Sequence, residues 1–328
     1  MPETKSPPTG NRALWVLLAL LVVSSLGASL VQTSFGDIEV KSITLPTQNG
    51  QWLVADLFRP RSATADDPAP LVVVVPGFQR SKEALSNVAI ELARRGIVAI
   101  SIDPYAQGGS SASMSRRAAT TEGYGMFAVV EYAFDTPNLN YVDKSRIGAT
   151  GHSAGGNAAI RGANYFGKEA QRTGQPSKLH SVFVSGYVLT LTEEVLRDVR
   201  SNVGMSYAFY DEGAYRNELR DGDMRVAPES LRLVNIGRDR ALTPVSEVEL
   251  GNYYGDVGER TFRVVYNERV LHPFQPYIVE ATANQIEYFE HVFGLDSGLS
   301  SRDQVWYWKE LFSLFSLVTA MVMLIPLA

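Results

Sequence analysis

The chain has no cysteine among its 328 residues. Disulfides, thiolate metal sites and cysteine nucleophiles are excluded. Compartment stays open, because a core of this size is stable outside the cell without covalent staples. Histidine is scarce, so any chemistry that needs an imidazole must draw on His152, His180, His272 or His291. An excess of positive charge is also missing. The net charge is −5 and no basic run interleaves with aromatics, which argues against a nucleic-acid partner. With 45% hydrophobic and 20% charged residues, the chain suits one large domain with small appendages, and no internal repeat is visible.

Two long apolar runs stand out. Ala13 to Val31 carries no charge and as a helix would be ~28 Å long, about one hydrocarbon thickness. A cleaved signal peptide is the alternative, but the run exceeds a usual signal core, and Ser25-Leu26-Gly27-Ala28 fits a cleavage site imperfectly. Leu311 to Ala328 is the second run, preceded by Trp306, Tyr307 and Trp308 in the manner of an interfacial belt. Its alternative is a buried core helix. The reading favoured is a tail over 1–12, transmembrane helices over 13–31 and 306–328, and a globular domain over 36–297. Because the second run has no polar flank, the natural chain is expected to continue with further membrane segments. Lys5 and Arg12 before the first run, against Lys41 closely after it, put the domain on the extracytoplasmic side of a cell membrane, although Arg302 and Lys309 pull the other way.

Between these runs strands alternate with helices. Strands are expected over 37–45, 52–58, 71–75, 97–102, 146–150, 181–189, 202–210 and 261–266. Helices are expected over 82–95, 121–134 and 276–293, with a helix-like stretch over 157–165. Leu71-Val72-Val73-Val74-Val75 is the continuous β-branched run of a strand covered on both faces. The alternation implies an α/β fold with a right-handed, mostly parallel sheet. Ligands collect at the carboxyl ends of such strands, which makes Phe78, Asp103 and Ser153 candidates for chemistry.

Gly151-His152-Ser153-Ala154-Gly155 is the most informative segment. A serine between glycines, after a strand and before a helix, is a nucleophile elbow. The tight turn strains the serine backbone, and small neighbours make the packing possible. The hydroxyl is aimed out of the sheet, while the following helix start offers N–H groups to a developing oxyanion.

Val75-Pro76-Gly77-Phe78, Ala93-Arg94-Arg95-Gly96, the run from Ile97 to Asp103 and the GHSAGG segment together resemble the α/β-hydrolase superfamily. Within it the chain is similar to the dienelactone hydrolase and bacterial cutinase-like branch, over roughly residues 37 to 295. The flanking helices suggest a membrane-attached bacterial subgroup. The resemblance implies Ser153 as nucleophile and His272, in the loop between the last strand and last helix, as base. His152 should point away from the attack face, His180 reads as a packing residue and His291 as a helix residue. It also implies an oxyanion hole made by the backbone N–H groups of Phe78 and Ala154, with Pro76 where many relatives have histidine.

The triad acid has two candidates. Asp211 ends the strand that begins at Asn202, at a separation that this branch uses. Asp239 follows the run Leu231 to Gly237, before Ala241-Leu242-Thr243-Pro244, which resembles the family's acid loop; there Arg240 occupies the expected carboxylate position. Asp211 is favoured, and residues 213–260 then form an insertion that could cap the site or pack toward the membrane. Tyr105, Tyr207 and Phe209 could line a pocket or belong to the core.

The expectation is a membrane-anchored serine hydrolase, carboxylesterase- or lipase-like, acting on a small-molecule or lipid acyl ester. It needs neither metal nor cofactor. Acyl transfer or peptide cleavage at the same site, or a non-catalytic sensor or binding domain, are the alternatives.

Overall fold

In the computed structural model, residues 9–236 and 243–327 are described. Asp239 and Arg240 lie outside them.

The chain opens with helix α1 (Thr9–Gln32) and continues through strands β1 (Ile38–Pro46), β2 (Trp52–Pro60) and β3 (Ala69–Val75). Helix α2 (Ser86–Arg94), strand β4 (Val98–Ile102) and helices α3 (Ala118–Thr121) and α4 (Met126–Asp135) follow. Then come β5 (Val142–His152), α5 (Ala154–Thr173), β6 (Ser181–Ser185), α6 (Glu193–Leu196), β7 (Asn202–Ala208) and α7 (Pro228–Asn235). The chain closes with β8 (Arg263–Glu268), α8 (Val279–Phe293) and α9 (Trp306–Leu327).

The strands form one sheet in the order β1-β2-β4-β3-β5-β6-β7-β8, parallel from β4 through β8, with β1 and β2 antiparallel at one end. The β-branched run of β3 shows why. Leu71, Val73 and Val75 face α4 and α5 with Val129, Val130 and Phe166. Val72 and Val74 face α2 and α8 with Val88, Leu92 and Phe289. Both faces are covered, so the strand needs no polar alternation. Complete burial of each valine contributes roughly 1.5 kcal/mol or more.

Several boundaries differ from the sequence expectation. The expected 82–95 helix is a 3₁₀ turn (Lys82–Leu85) followed by α2. The 121–134 helix is broken at Tyr124, whose φ is 55°. The strand expected over 181–189 ends at Ser185, where Gly186 turns with φ 63° and donates to the Ser206 carbonyl at 2.8 Å. The 202–210 strand ends at Ala208. Most of the run from Leu231 is helical, because Pro228 at the first helical position and Glu229 in the first turn start α7. Within the expected 213–260 insertion, residues 251–254 lie along the outer edge of β8: Tyr254 pairs with Arg263, and Gly251 N–H bonds the Val265 carbonyl.

Helices α1 and α9 pack antiparallel. Gly27 admits the Phe312 ring, and the Ser316 hydroxyl lies 2.9 Å from that of Ser24 and 3.3 Å from that of Ser25. Their apolar outer faces are open, as at Val23 and Ile325. Both are long and apolar enough to cross a membrane, over Arg12–Gln32 and Trp306–Leu327.

A buried carboxylate joins α9 to the globular part. Glu91 of α2 is fully buried; one oxygen accepts the Val305 and Trp306 N–H groups at 2.7 and 3.1 Å. The other takes the Arg94 and Arg95 guanidinium groups at 2.7 and 3.0 Å. Those arginines also donate to the carbonyls of Ser300 and Asp303.

Candidate active site

Ser153 sits between β5 and α5 with φ 58° and ψ −116°, a conformation that non-glycine residues adopt only under external constraint. The constraint is backbone crowding. A Cβ on Gly155 would fall inside the Val75 carbonyl, one on Gly151 would collide with Gly155, and one on Gly156 would stand 2.7 Å from the Ser185 oxygen. The Ser153 N–H is fixed on the Ser185 carbonyl at 2.8 Å. The start of α5 directs its first N–H groups toward the serine side.

The loop after β3 closes on this turn. A Cβ on Gly77 would lie 3.5 Å from the Ser153 Cβ, so the Gly77-Phe78 peptide borders the hydroxyl. Neither the Phe78 nor the Ala154 N–H has an acceptor among the described residues. The Phe78 ring is largely exposed.

His272 begins a 3₁₀ turn (His272–Tyr277) after β8. Its Nδ1 lies 2.7 Å from Asp211 Oδ2, and the other Asp211 oxygen accepts the Gly213 N–H at 2.6 Å. Burial alone would raise the pKa of Asp211. The hydrogen bond and charge of His272, the Gly213 N–H and the Tyr207 hydroxyl reverse this and hold it below its ordinary value. Tyr105 and Tyr207 are core residues.

Ser153, His272, His152, Gly77, Phe78 and Tyr277 line one cavity of about 170 Å³. No described residue of 213–260 lines it. A larger cleft of about 540 Å³, bordered by Phe134, Phe166 and Lys178, contains no histidine and lies apart from Ser153.

His152 differs from expectation. Its ring is buried, but it packs 4.5 Å from the His272 ring and borders the same cavity. Burial, then the neighbouring His272, pushes its pKa down to about 3, so it is a neutral support at ordinary pH. His180 is lowered to about 4, by burial first. His291 packs on Tyr253 and Phe262. Asp103 is structural, since its carboxylate accepts the Lys82 and Gly109 N–H groups at 2.7 and 2.8 Å.

Sequence reasoning missed the polar network beneath His272. Gln275 Nε2 donates to Ser206 Oγ at 2.7 Å and to Glu268 Oε2 at 2.8 Å; Glu268 also accepts from Ser206 and Asn284. This pins the turn that carries His272. No sequence signal set Gln275 and Asn284 apart, because α8 also carries Glu280, Gln285, Glu287 and Glu290. Among the described residues, no group of three or more His, Asp or Glu side chains could hold a metal ion.

An elbow serine, a histidine after the last strand and a mostly parallel eight-stranded sheet define an ester-cleaving serine hydrolase of the α/β-hydrolase fold. The chain belongs to the family described as PETase, PET hydrolase-like, which it matches over residues 25–217. No curated protein matches it. Among solved structures, an esterase of Pyrococcus furiosus superposes with a TM-score of 0.53 at 13% identity, covering 79% of this chain and 94% of that one. An esterase of Pyrobaculum calidifontis gives 0.52 at 17%, covering 87% and 94%. Esterase 2 of Thermogutta terrifontis, solved phosphoramylated by tabun, gives 0.53 at 17%, covering 79% and 95%. At these identities the likeness is one of fold.

Proposed function

We propose that the protein is a membrane-anchored carboxylesterase in which Ser153, His272 and Asp211 form the catalytic triad. The observation that carries this reading is the 2.7 Å bond between Asp211 and a histidine that shares a cavity with the strained elbow serine.

His272, oriented by Asp211, takes the Ser153 proton as the hydroxyl attacks the ester carbonyl. The Phe78 and Ala154 N–H groups stabilise the tetrahedral oxyanion, each worth ~3 kcal/mol in such sites. The imidazolium then protonates the departing alcohol. Water, deprotonated by His272, attacks the acyl-enzyme and regenerates the serine. Asp211 keeps its negative charge throughout and offsets the imidazolium.

The hydrolase domain spans residues 36–297, and the open apolar faces of α1 and α9 support two membrane anchors. Lys5 and Arg12, ahead of the uncharged run Ala13 to Val31, support an extracytoplasmic domain. Family membership and the esterase neighbours support an ester carbonyl as the bond attacked.

The test is labelling by a fluorophosphonate probe, with p-nitrophenyl acetate turnover alongside. Wild type labels and turns over; Ser153→Ala does neither. Labelling that survives Ser153→Ala would overturn the nucleophile assignment.

A further inference from the structure

We propose that the substrate is an acyl ester of a membrane phospholipid, drawn from the bilayer through a groove between residues 79–84 and the first turn of α9. This builds on the membrane-anchored esterase reading.

The direction of α9 is the first support. Helix α2 starts at the carboxyl edge of the sheet, where Ser153 and His272 lie, and runs away from it. The N–H of Trp306 meets Glu91, in the second half of α2, whereas Lys309 Nζ meets the Ser86 hydroxyl at its start, at 3.1 Å. The first turn of α9 therefore climbs toward the active-site edge. Its apolar remainder, residues 311–327, leaves the domain there, and α1 follows it antiparallel. A bilayer around these helices faces the catalytic edge of the sheet.

A groove joins the two. About 720 Å³ in volume, it is lined by Gln79, Arg80, Ser81, Tyr277, Trp306 and Glu310, among others. Arg80, Ala84 and Tyr277 also line the Ser153 cavity, so the two spaces adjoin across these side chains. Trp306 begins the Trp306-Tyr307-Trp308 cluster, a residue type and position that mark the headgroup level of a membrane. The ester bonds of phospholipids lie at the inner border of that level. Groove and ester are thus at the same depth, and the exposed Phe78, Phe274 and Tyr277 rings give the approach an apolar rim.

The groove lining carries Arg80, Glu83 and Glu310. Glu83 is paired with Lys82, which also bonds Asp56, and Glu310 is paired with Lys309, which leaves Arg80 as the group for a phosphate. The exposed Arg80 side chain lines both spaces and has no ion partner among the described residues. A guanidinium there can take a phosphate bidentately while the acyl carbonyl reaches Ser153.

Two measurements on the full chain in phosphatidylglycerol-containing vesicles test this. In the first, the vesicles carry a phospholipid with a fluorescent acyl chain, and p-nitrophenyl acetate is assayed in parallel. Acyl release from the vesicle lipid is expected, with kcat/KM exceeding that for p-nitrophenyl acetate by roughly tenfold or more, because remote binding energy adds to transition-state stabilisation. Turnover of p-nitrophenyl acetate without acyl release would overturn the proposal. In the second, Ser153→Ala protein is irradiated with a phospholipid bearing a diazirine beside its ester. Crosslinks within residues 78–84, or at Tyr277 and Trp306, are expected. Crosslinks confined to α1 and residues 311–327 would overturn lateral access. Failure to cleave either ester would instead overturn the esterase reading, while the crosslinks still decide the route.

Discussion

His272 Nδ1 and Asp211 Oδ2 meet at 2.7 Å although 61 positions separate them. Strands β7 and β8 are parallel neighbours, and their pairing continues past their ends: Phe209 N–H bonds the Glu268 carbonyl at 2.7 Å and Tyr210 N–H bonds Val270 at 3.1 Å. The two exit loops are thereby zipped together. The pair is asymmetric, with the Asp211 side chain 5% exposed and that of His272 24%. A dry carboxylate behind an imidazole open to the cavity is the arrangement that orients a base without competing for its proton.

Asp211→Asn is expected to lower kcat on p-nitrophenyl acetate by roughly a thousandfold or more, with the far-ultraviolet dichroism retained. Asp239→Asn is expected to stay within about twofold of wild type, because Asp211 already occupies the orienting position beside His272. The opposite pattern would move the acid to Asp239.

The strained elbow turn, the loop after β3 that closes on it and the place of His272 after the last strand were legible in sequence because each depends on local patterns: a β-branched run, small residues at fixed spacing and a loop before a helix. The acid was harder. Its pairing with His272 depends on strand order, and two carboxylates satisfied the local pattern. His152 was misjudged for a related reason. Alternation along β5 predicts that its side chain leaves the attack face, but Gly186 has no Cβ and leaves room for the ring beneath His272; a Cβ there would stand 2.6 Å from His152 Nε2. The Glu91 clasp was invisible because its partners, Val305 and Trp306, lie 214 and 215 positions away.

The glycines of the elbow should be intolerant of even one methyl group. Gly155→Ala drives a Cβ into the Val75 carbonyl, and both atoms belong to packed backbone. Overpacking of this kind costs typically 1–3 kcal/mol. The expected result is a melting temperature lower by several degrees in detergent, together with loss of fluorophosphonate labelling. Ala158→Gly, on the same helix, should lower stability modestly and leave labelling intact. Unimpaired labelling of Gly155→Ala would contradict the crowding argument.

Acid should destabilise the fold well before the carboxylates titrate. His152 and His180 have folded pKa values of about 3 and about 4, below the unfolded value of ~6.5. Each is neutral when folded and takes up a proton on unfolding, so stability is complete above pH ~6.5 and falls as pH drops toward the folded values. Each histidine adds a slope approaching about 1.4 kcal/mol per pH unit within that window. Asp211 acts lower: its depressed pKa gives stability present above ~3.9 and lost as pH falls through the folded value. Between pH 7 and 5 the histidines therefore dominate. Thermal melts at those two pH values should show a decline for wild type and a shallower one for His152→Asn. Equal declines would remove His152 from the account.

The strongest single lever on how the hydrolase domain meets α9 is Glu91. Glu91→Ala would leave the Arg95 guanidinium, whose side chain has no exposure, buried without its counter-ion, and would strip the Val305 and Trp306 N–H groups of their acceptor. Removing one partner of such a buried pair costs roughly 3–5 kcal/mol. Much of that cost can be relieved by releasing the segment before α9, because Arg94 and Arg95 also hold the Ser300 and Asp303 carbonyls. Limited trypsin digestion of the vesicle-bound protein should then cut at the exposed Arg302 faster in Glu91→Ala than in wild type. Glu91→Gln keeps an acceptor for the N–H groups but loses the charge, and should fall between the two. Cleavage rates and melting temperatures equal across all three proteins would mean that α9 is held by its packing on α1 and not by this carboxylate.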